Sequence, residues 1–236
     1  MVRVMPSTHP TLRQIAADML SLLAVRALHL LERPAMSVDR QKAAAFDSTL
    51  AAAVNSPAKS VSYALPYPKY EFLRYVSEHH GLLLHGSNGL PRSQLEPRLQ
   101  TTFFGQPATA VFATPDDIWS IFFAIVNNDG FVGSKRNGCI RIGLENSVRK
   151  FYWFSLSTAM RDREGELCEG TVHLLPTSAF RRSDIPDEWK SDVPVVPIAA
   201  LRVAPADFPF EIGAHPEVPA WRFFWRMALQ RRRPTH

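Results

Sequence analysis

The chain has 236 residues, 46% of them hydrophobic and 21% charged, which is ordinary for a folded protein and enough for one well-packed domain with appendages. Its net charge of +5 equals the contribution of five arginines near the C-terminus, Arg222, Arg226, Arg231, Arg232 and Arg233, so the rest of the chain is near neutral. Two cysteines, Cys139 and Cys168, exclude a disulfide framework, and a reducing, cytoplasmic compartment is expected.

In chain order, residues 11–33 are leucine-rich and read as an amphipathic helix. Asp18 and Arg26 cut its apolar run below membrane-spanning length, and Asp18 also speaks against a secretory signal. After Arg33-Pro34, an alanine-rich helix is expected over 39–54, capped by Ser37. Pro57, Pro66 and Pro68 then mark a linker, with a domain boundary near Tyr63. A short helix over 69–80 carries Phe72, Leu73, Tyr75 and Val76 on one face and ends at Gly81. His79 and His80 are adjacent on it, so they point apart and cannot share a metal; no zinc-ligand spacing occurs elsewhere.

A buried strand over 82–85 follows, then a polar connection over 88–107. The strand 109–113 leads into a helix over 115–126, with Thr114 as the expected cap, Pro115 at the first position, and Asp116 and Asp117 in the first turn. Strands are expected over 139–144, 150–156 and 171–175. The stretch 193–203 contains Pro194 and Pro197, so it reads as an edge strand or a broken one. A last helix over 219–232 gathers Trp221, Phe224, Trp225 and Leu229 on one face. This order indicates an α+β fold in three parts: an N-terminal helical segment and linker (1–62), a main domain (63–212) and a basic amphipathic helix (213–236).

The chemistry concentrates in two blocks. His85-Gly86-Ser87 sits at the end of a buried strand, where an imidazole can donate to a ribose hydroxyl and a glycine backbone can approach a planar amide closely. The second block places Phe112 on a strand, then Ser120 and Phe123 three apart on one face of a helix. Taken without the rest, His-Gly-Ser also fits a plain tight turn, and the phenylalanines also fit a core.

Together the blocks resemble the ADP-ribosyltransferases of the poly(ADP-ribose) polymerase type. The likeness covers about residues 80–175. It implies a split β-sheet core and NAD as the substrate. His85 would orient the adenosine ribose, with Ser87 in the same motif. Gly86 and Ser120 would hold the carboxamide, and Phe112 and Phe123 would sandwich the nicotinamide ring. The family pattern also needs a glutamate at the start of a later strand, to stabilise positive charge on the sugar carbon as nicotinamide leaves. Glu169 holds that position, with Glu164 and Glu166 nearby. Arg98 or Arg92 would pair with the pyrophosphate. The chain departs from the pattern in having phenylalanine at both tyrosine positions.

The implied activity is transfer of ADP-ribose from NAD, with release of nicotinamide, to an acceptor on protein or nucleic acid. Three other readings stand beside it. One is a non-catalytic nucleotide-binding module on the same fold. Another is an interaction protein docking through its terminal helices. The last is an RNA 2′-phosphotransferase-like enzyme, which needs more basic residues around the pocket than Arg92 and Arg98. The C-terminal arginines fit either contact with a polyanion or a solvated helix end.

Overall fold

Asp39 begins the first long helix: its carboxylate accepts from the Lys42 amide at 2.8 Å and satisfies an open donor of the first turn. The cap is therefore Asp39 and not Ser37, whose carbonyl instead accepts from Lys42 Nζ at 3.1 Å. The computed structural model describes residues 19–21, 23, 25–101, 107–129, 133–144, 147–161, 165–183 and 185–216. The expected C-terminal helix over 219–232 lies outside the described residues, as do residues 11–18.

The elements in chain order are β1 (Leu31–Glu32), α1 (Arg40–Asn55), α2 (Lys69–His80), β2 (Leu82–Asn88), β3 (Arg98–Thr101), β4 (Pro107–Ala113) and α3 (Asp117–Ile125). They continue with β5 (Lys135–Leu144), β6 (Ser147–Ser157), α4 (Thr158–Arg161), β7 (Gly170–Pro176), β8 (Arg181–Arg182), β9 (Trp189–Ser191), β10 (Ala199–Val203) and β11 (Gly213–His215). The fold is mixed α+β with several antiparallel sheets. Among the described residues no helix is long and apolar enough to cross a membrane.

The chain divides into two compact units. A helix-bearing unit comprises Ala35–Phe131 and Glu164–Pro209, and a hairpin unit comprises Met1–Pro34, Val132–Arg163 and Phe210–His236. This division cuts the chain differently from the partition at residues 62 and 212. Helix α1 packs on α2 through Phe46, whose ring meets Phe72 edge-on at 5.7 Å, while β5 and β6 belong to the hairpin unit.

In the helix-bearing unit, β10, β7 and β2 form an antiparallel sheet in that order, and β3, β4, β9 and β8 form a second one. The sheets meet where Leu84 and Thr114 exchange backbone hydrogen bonds of 2.8 and 2.9 Å. Leu83, Val111, Ala113 and Leu175 fill the core between them with Leu95 and Val195. Two buried ion pairs tie the helices: Lys42 to Glu71 at 2.5 Å, and Arg74 to Asp117 at 3.1 Å. Removing one partner would strand a charge in the core. Helix α3 is capped by Asp116, whose Oδ1 accepts from the amides of Ile118 and Trp119; Thr114, the expected cap, accepts from the Asp116 amide one step earlier.

In the hairpin unit, β5 and β6 pair along ten residues, and β6 also carries β1 antiparallel and β11 parallel. The first helix ends earlier than expected: the chain turns at Leu28 and His29, and Leu31–Glu32 joins the sheet as β1. The polar layer of this unit centres on buried His215, which bonds Ser155 at 2.5 Å and Ser134 at 2.9 Å and so fastens β11 to its neighbours.

Candidate functional site

The β2–β7 register sets which side chains share a face. Leu83 pairs with Leu175, His85 with His173 and Ser87 with Thr171; on β10, Arg202 pairs with Thr171. Side chains alternate along a strand, so His85, Ser87, Thr171, His173 and Arg202 line the face that holds Leu83 and Leu175. Leu84, Gly86, Asn88 and Gly170 line the other face, against α3. Asn88 donates there to the carbonyls of Ala124 and Val126 at 2.8 and 2.9 Å. The two will be called the histidine face and the helix face.

On the helix face, backbone meets backbone. A Cβ on Gly86 would lie 2.0 Å from the Ser120 carbonyl oxygen and 2.7 Å from the Ala124 nitrogen. A Cβ on Gly170 would lie 2.0 Å from the Ala124 carbonyl oxygen. Both positions admit only glycine without a shift of α3. The space expected at Gly86 for a planar amide is therefore filled by the helix. Ser120 is fully buried, and its hydroxyl donates to the Asp117 carbonyl at 2.8 Å. Phe123 is half-buried on the same helix, with its ring 5.5 Å from Phe122.

On the histidine face, polar groups are less fully committed. The Nδ1–H of His85 donates to the Phe112 carbonyl at 2.6 Å, which leaves Nε2 as the lone-pair nitrogen of the neutral ring. Burial holds this imidazole below its ordinary pKa; the Phe112 carbonyl pulls the other way, and the charges of Arg92 and Arg98 add to the lowering. Neutral His85 would thus accept from a hydroxyl at Nε2 rather than donate to it. His173, with no exposed surface, lies 6.0 Å away ring to ring. Its Nε2 accepts from the Arg92 amide at 3.0 Å, so its proton sits on Nδ1, facing the His85 carbonyl at 3.4 Å. Burial and the neighbouring His85 push its pKa down to about 4. Ser87 Oγ is buried and makes no hydrogen bond to protein. Phe112 contributes its carbonyl here, while alternation sends its half-buried ring to the side of β4 opposite Val111 and Ala113.

Glu169 precedes β7, beyond Asn88 in the paired register and four positions along from His173. At 3.3–3.4 Å per residue its backbone stands about 13 Å from the histidine pair. Its side chain is 68% exposed and accepts from Arg202 Nη2 at 2.5 Å. Glu164 lies outside the described residues, and the Glu166 carbonyl accepts from the Asn127 amide at 3.0 Å.

The structure thus brings together His85, Ser87, Arg92 and Arg98, adds His173 and Arg202, and keeps Ser120 and Phe123 on the helix side of the same strands. His173 and Arg202 were not legible as site residues, because only the register of β2, β7 and β10 aligns them with His85. A separate cavity of about 530 Å³ lies at the far end of β2, with Leu82, Leu83, Pro115, Arg182 and Trp189 in its lining. No protein-family model, curated protein or solved structure matches this chain.

Proposed function

We propose that this chain is an ADP-ribosyltransferase-like protein that binds NAD and transfers ADP-ribose to an acceptor on protein or nucleic acid, releasing nicotinamide. The observation that carries this reading is convergence. Three blocks far apart in the sequence meet at one turn of α3: Gly86 lies against Ser120, and Gly170, next to Glu169, lies against Ala124. Two antiparallel sheets that meet at the Leu84–Thr114 bridge suit the split-sheet core that the reading requires.

The histidine face fits the phosphate-bearing part of a dinucleotide. It offers an unbonded buried hydroxyl at Ser87 that can donate to a phosphate oxygen, an acceptor nitrogen at His85 for the adjoining ribose hydroxyl, and the positive charges of Arg92 and Arg98, close enough to lower the His85 pKa. The nicotinamide end fits less directly. Gly86 and Ser120 are packed together and the Ser120 hydroxyl is spent on Asp117, so holding a carboxamide there requires α3 to move off the strand. Bound NAD would supply an activated C1′–nitrogen bond whose electron pair leaves with nicotinamide. The chain would supply orientation at His85 and a carboxylate at Glu169.

A second reading, nucleotide binding without turnover, is favoured by one observation: the Glu169 carboxylate is engaged by Arg202 and faces solvent. Release of nicotinamide from NAD separates the two. Slow release by the wild-type chain, lost in Glu169→Gln even at saturating NAD, supports transfer. Binding with no release from either supports the module. The absence of both binding and release removes the reading.

A further inference from the structure

Arg202 makes two hydrogen bonds at the edge of the histidine face. Its Nη2 donates to Glu169 Oε2 at 2.5 Å, and its Nη1 donates to the Gly89 carbonyl at 3.1 Å. That carbonyl also accepts from Thr171 Oγ1 at 2.7 Å, and the Gly89 amide donates to the Glu169 carbonyl at 3.3 Å. Gly89 is where the chain leaves β2, in the left-handed region at φ +78, with open space where a Cβ would stand. Three residues on, the Arg92 amide reaches His173 Nε2 at 3.0 Å, and Leu95 pairs with Val195 through backbone bonds of 2.9 Å in each direction.

Residues 89–97 therefore cross the histidine face as a strap. One end is held by the Leu95–Val195 bridge and the middle by a single bond to a neutral imidazole. The other end is held at Gly89 by groups from β7 and β10. Of these, the Arg202–Glu169 pair is the one exposed to solvent, with side chains 36% and 68% accessible. An exposed ion pair contributes little to global stability, so its consequence is local. Through its Nη1, Arg202 also holds the Gly89 carbonyl, three residues before the Arg92 amide meets His173.

We propose that the Arg202–Glu169 pair is a clamp that seats the 89–97 strap over the His85–His173 pair, making Arg202 a positioning residue for the dinucleotide phosphate this face takes. The inference deepens the NAD-binding reading and rests on it for the identity of the ligand, though not for the clamp. It also gives Glu169 work that needs no bond cleavage: acting on the strap through Arg202.

The test uses the isotope-labelled full chain as wild type, Arg202→Ala, Arg202→Lys and Glu169→Gln, with NAD as probe. In Arg202→Ala, hydrogen exchange at the Arg92 amide should quicken at least tenfold while the Leu174 amide in the sheet keeps its protection. The His173 ring should then titrate above its wild-type midpoint, because it has lost the Arg92 bond and gained solvent. The NAD dissociation constant should rise about tenfold. Arg202→Lys should restore most of the affinity, and Glu169→Gln, an exposed change that leaves the fold intact, should act in the same direction to a smaller extent. Unchanged Arg92 exchange and an unchanged His173 titration in Arg202→Ala would overturn the clamp. If these respond but wild type does not bind NAD, the clamp stands and the NAD reading falls.

Discussion

The helix face and the histidine face of the β10–β7–β2 sheet come from the same strands but are built for different ends. On the helix face, Gly86 and Gly170 give up their side chains so that α3 can lie directly on the backbone, and Ser120 and Asn88 spend their polar atoms within the fold. On the histidine face, Ser87 Oγ is left without a protein partner and two imidazoles are held neutral, by burial first, with the charge of Arg92 adding to the lowering of both. His85-Gly86-Ser87 is thus divided by the pleat. Its outer two residues share the histidine face, and its middle one is a packing residue. A tripeptide that reads as one functional unit in sequence is two in space.

The comparison breaks most easily at Gly86. Gly86→Ala drives a methyl to 2.0 Å from the Ser120 carbonyl and forces α3 off the sheet. A loss of roughly 3 kcal/mol or more is expected, read as a lower urea midpoint with unchanged slope. A change below 1 kcal/mol would mean that α3 does not rest on this strand.

Acid tests the other face. His173 titrates near 6.5 when unfolded and is pushed down to about 4 when folded. Well above pH 6.5 it is neutral in both states and contributes no pH dependence. As pH falls from 6.5 to 4 the unfolded chain takes up the proton first, so stability falls, by about 3 kcal/mol at most for a shift of this size, and levels off below 4. His85, lowered in the same direction, adds to the fall. Comparing urea unfolding at pH 7 and pH 4.5 in wild type and His173→Gln isolates this contribution; equal pH dependence in the two proteins would remove the buried neutral ring.

A smaller effect separates the two kinds of glycine. Gly89→Ala meets no atom within 4 Å but keeps φ at +78, so only the backbone penalty of about 1 kcal/mol should appear. A loss as large as that of Gly86→Ala would mean that crowding, and not conformation, governs position 89. The smallest effect belongs to Arg181→Ala, whose partner Asp192 and own side chain are both more than half exposed; stability should change by less than about 0.5 kcal/mol, by the same measurement.

Helix α2 was legible to the residue, because Gly81 stops it in the left-handed conformation at φ 65 and its apolar spacing is regular. The α+β class followed from element order. The caps slipped by two residues at Asp39 and Asp116, where two candidate side chains stand close together and only geometry chooses between them. Strand β3 went unseen because Arg98–Thr101 is short and mostly polar, with Arg98, Leu99 and Gln100 exposed, and it forms by pairing with β4 rather than by any pattern of its own. The site was legible in its members near His85 but not across the sheet. Nothing in the order of residues says that His173 and Arg202 share the face of His85, since that depends on a register in which a one-residue slip would bury them against α3.

The most direct test of a ligand-binding histidine face is to titrate NAD into the isotope-labelled full chain and map which amides shift. The account predicts concentrated, saturable changes at Ser87, Arg92, Thr171 and His173, and their loss in His85→Ala. Changes confined to the cavity near Leu82 and Trp189, or no changes at millimolar NAD in a folded protein, would contradict it.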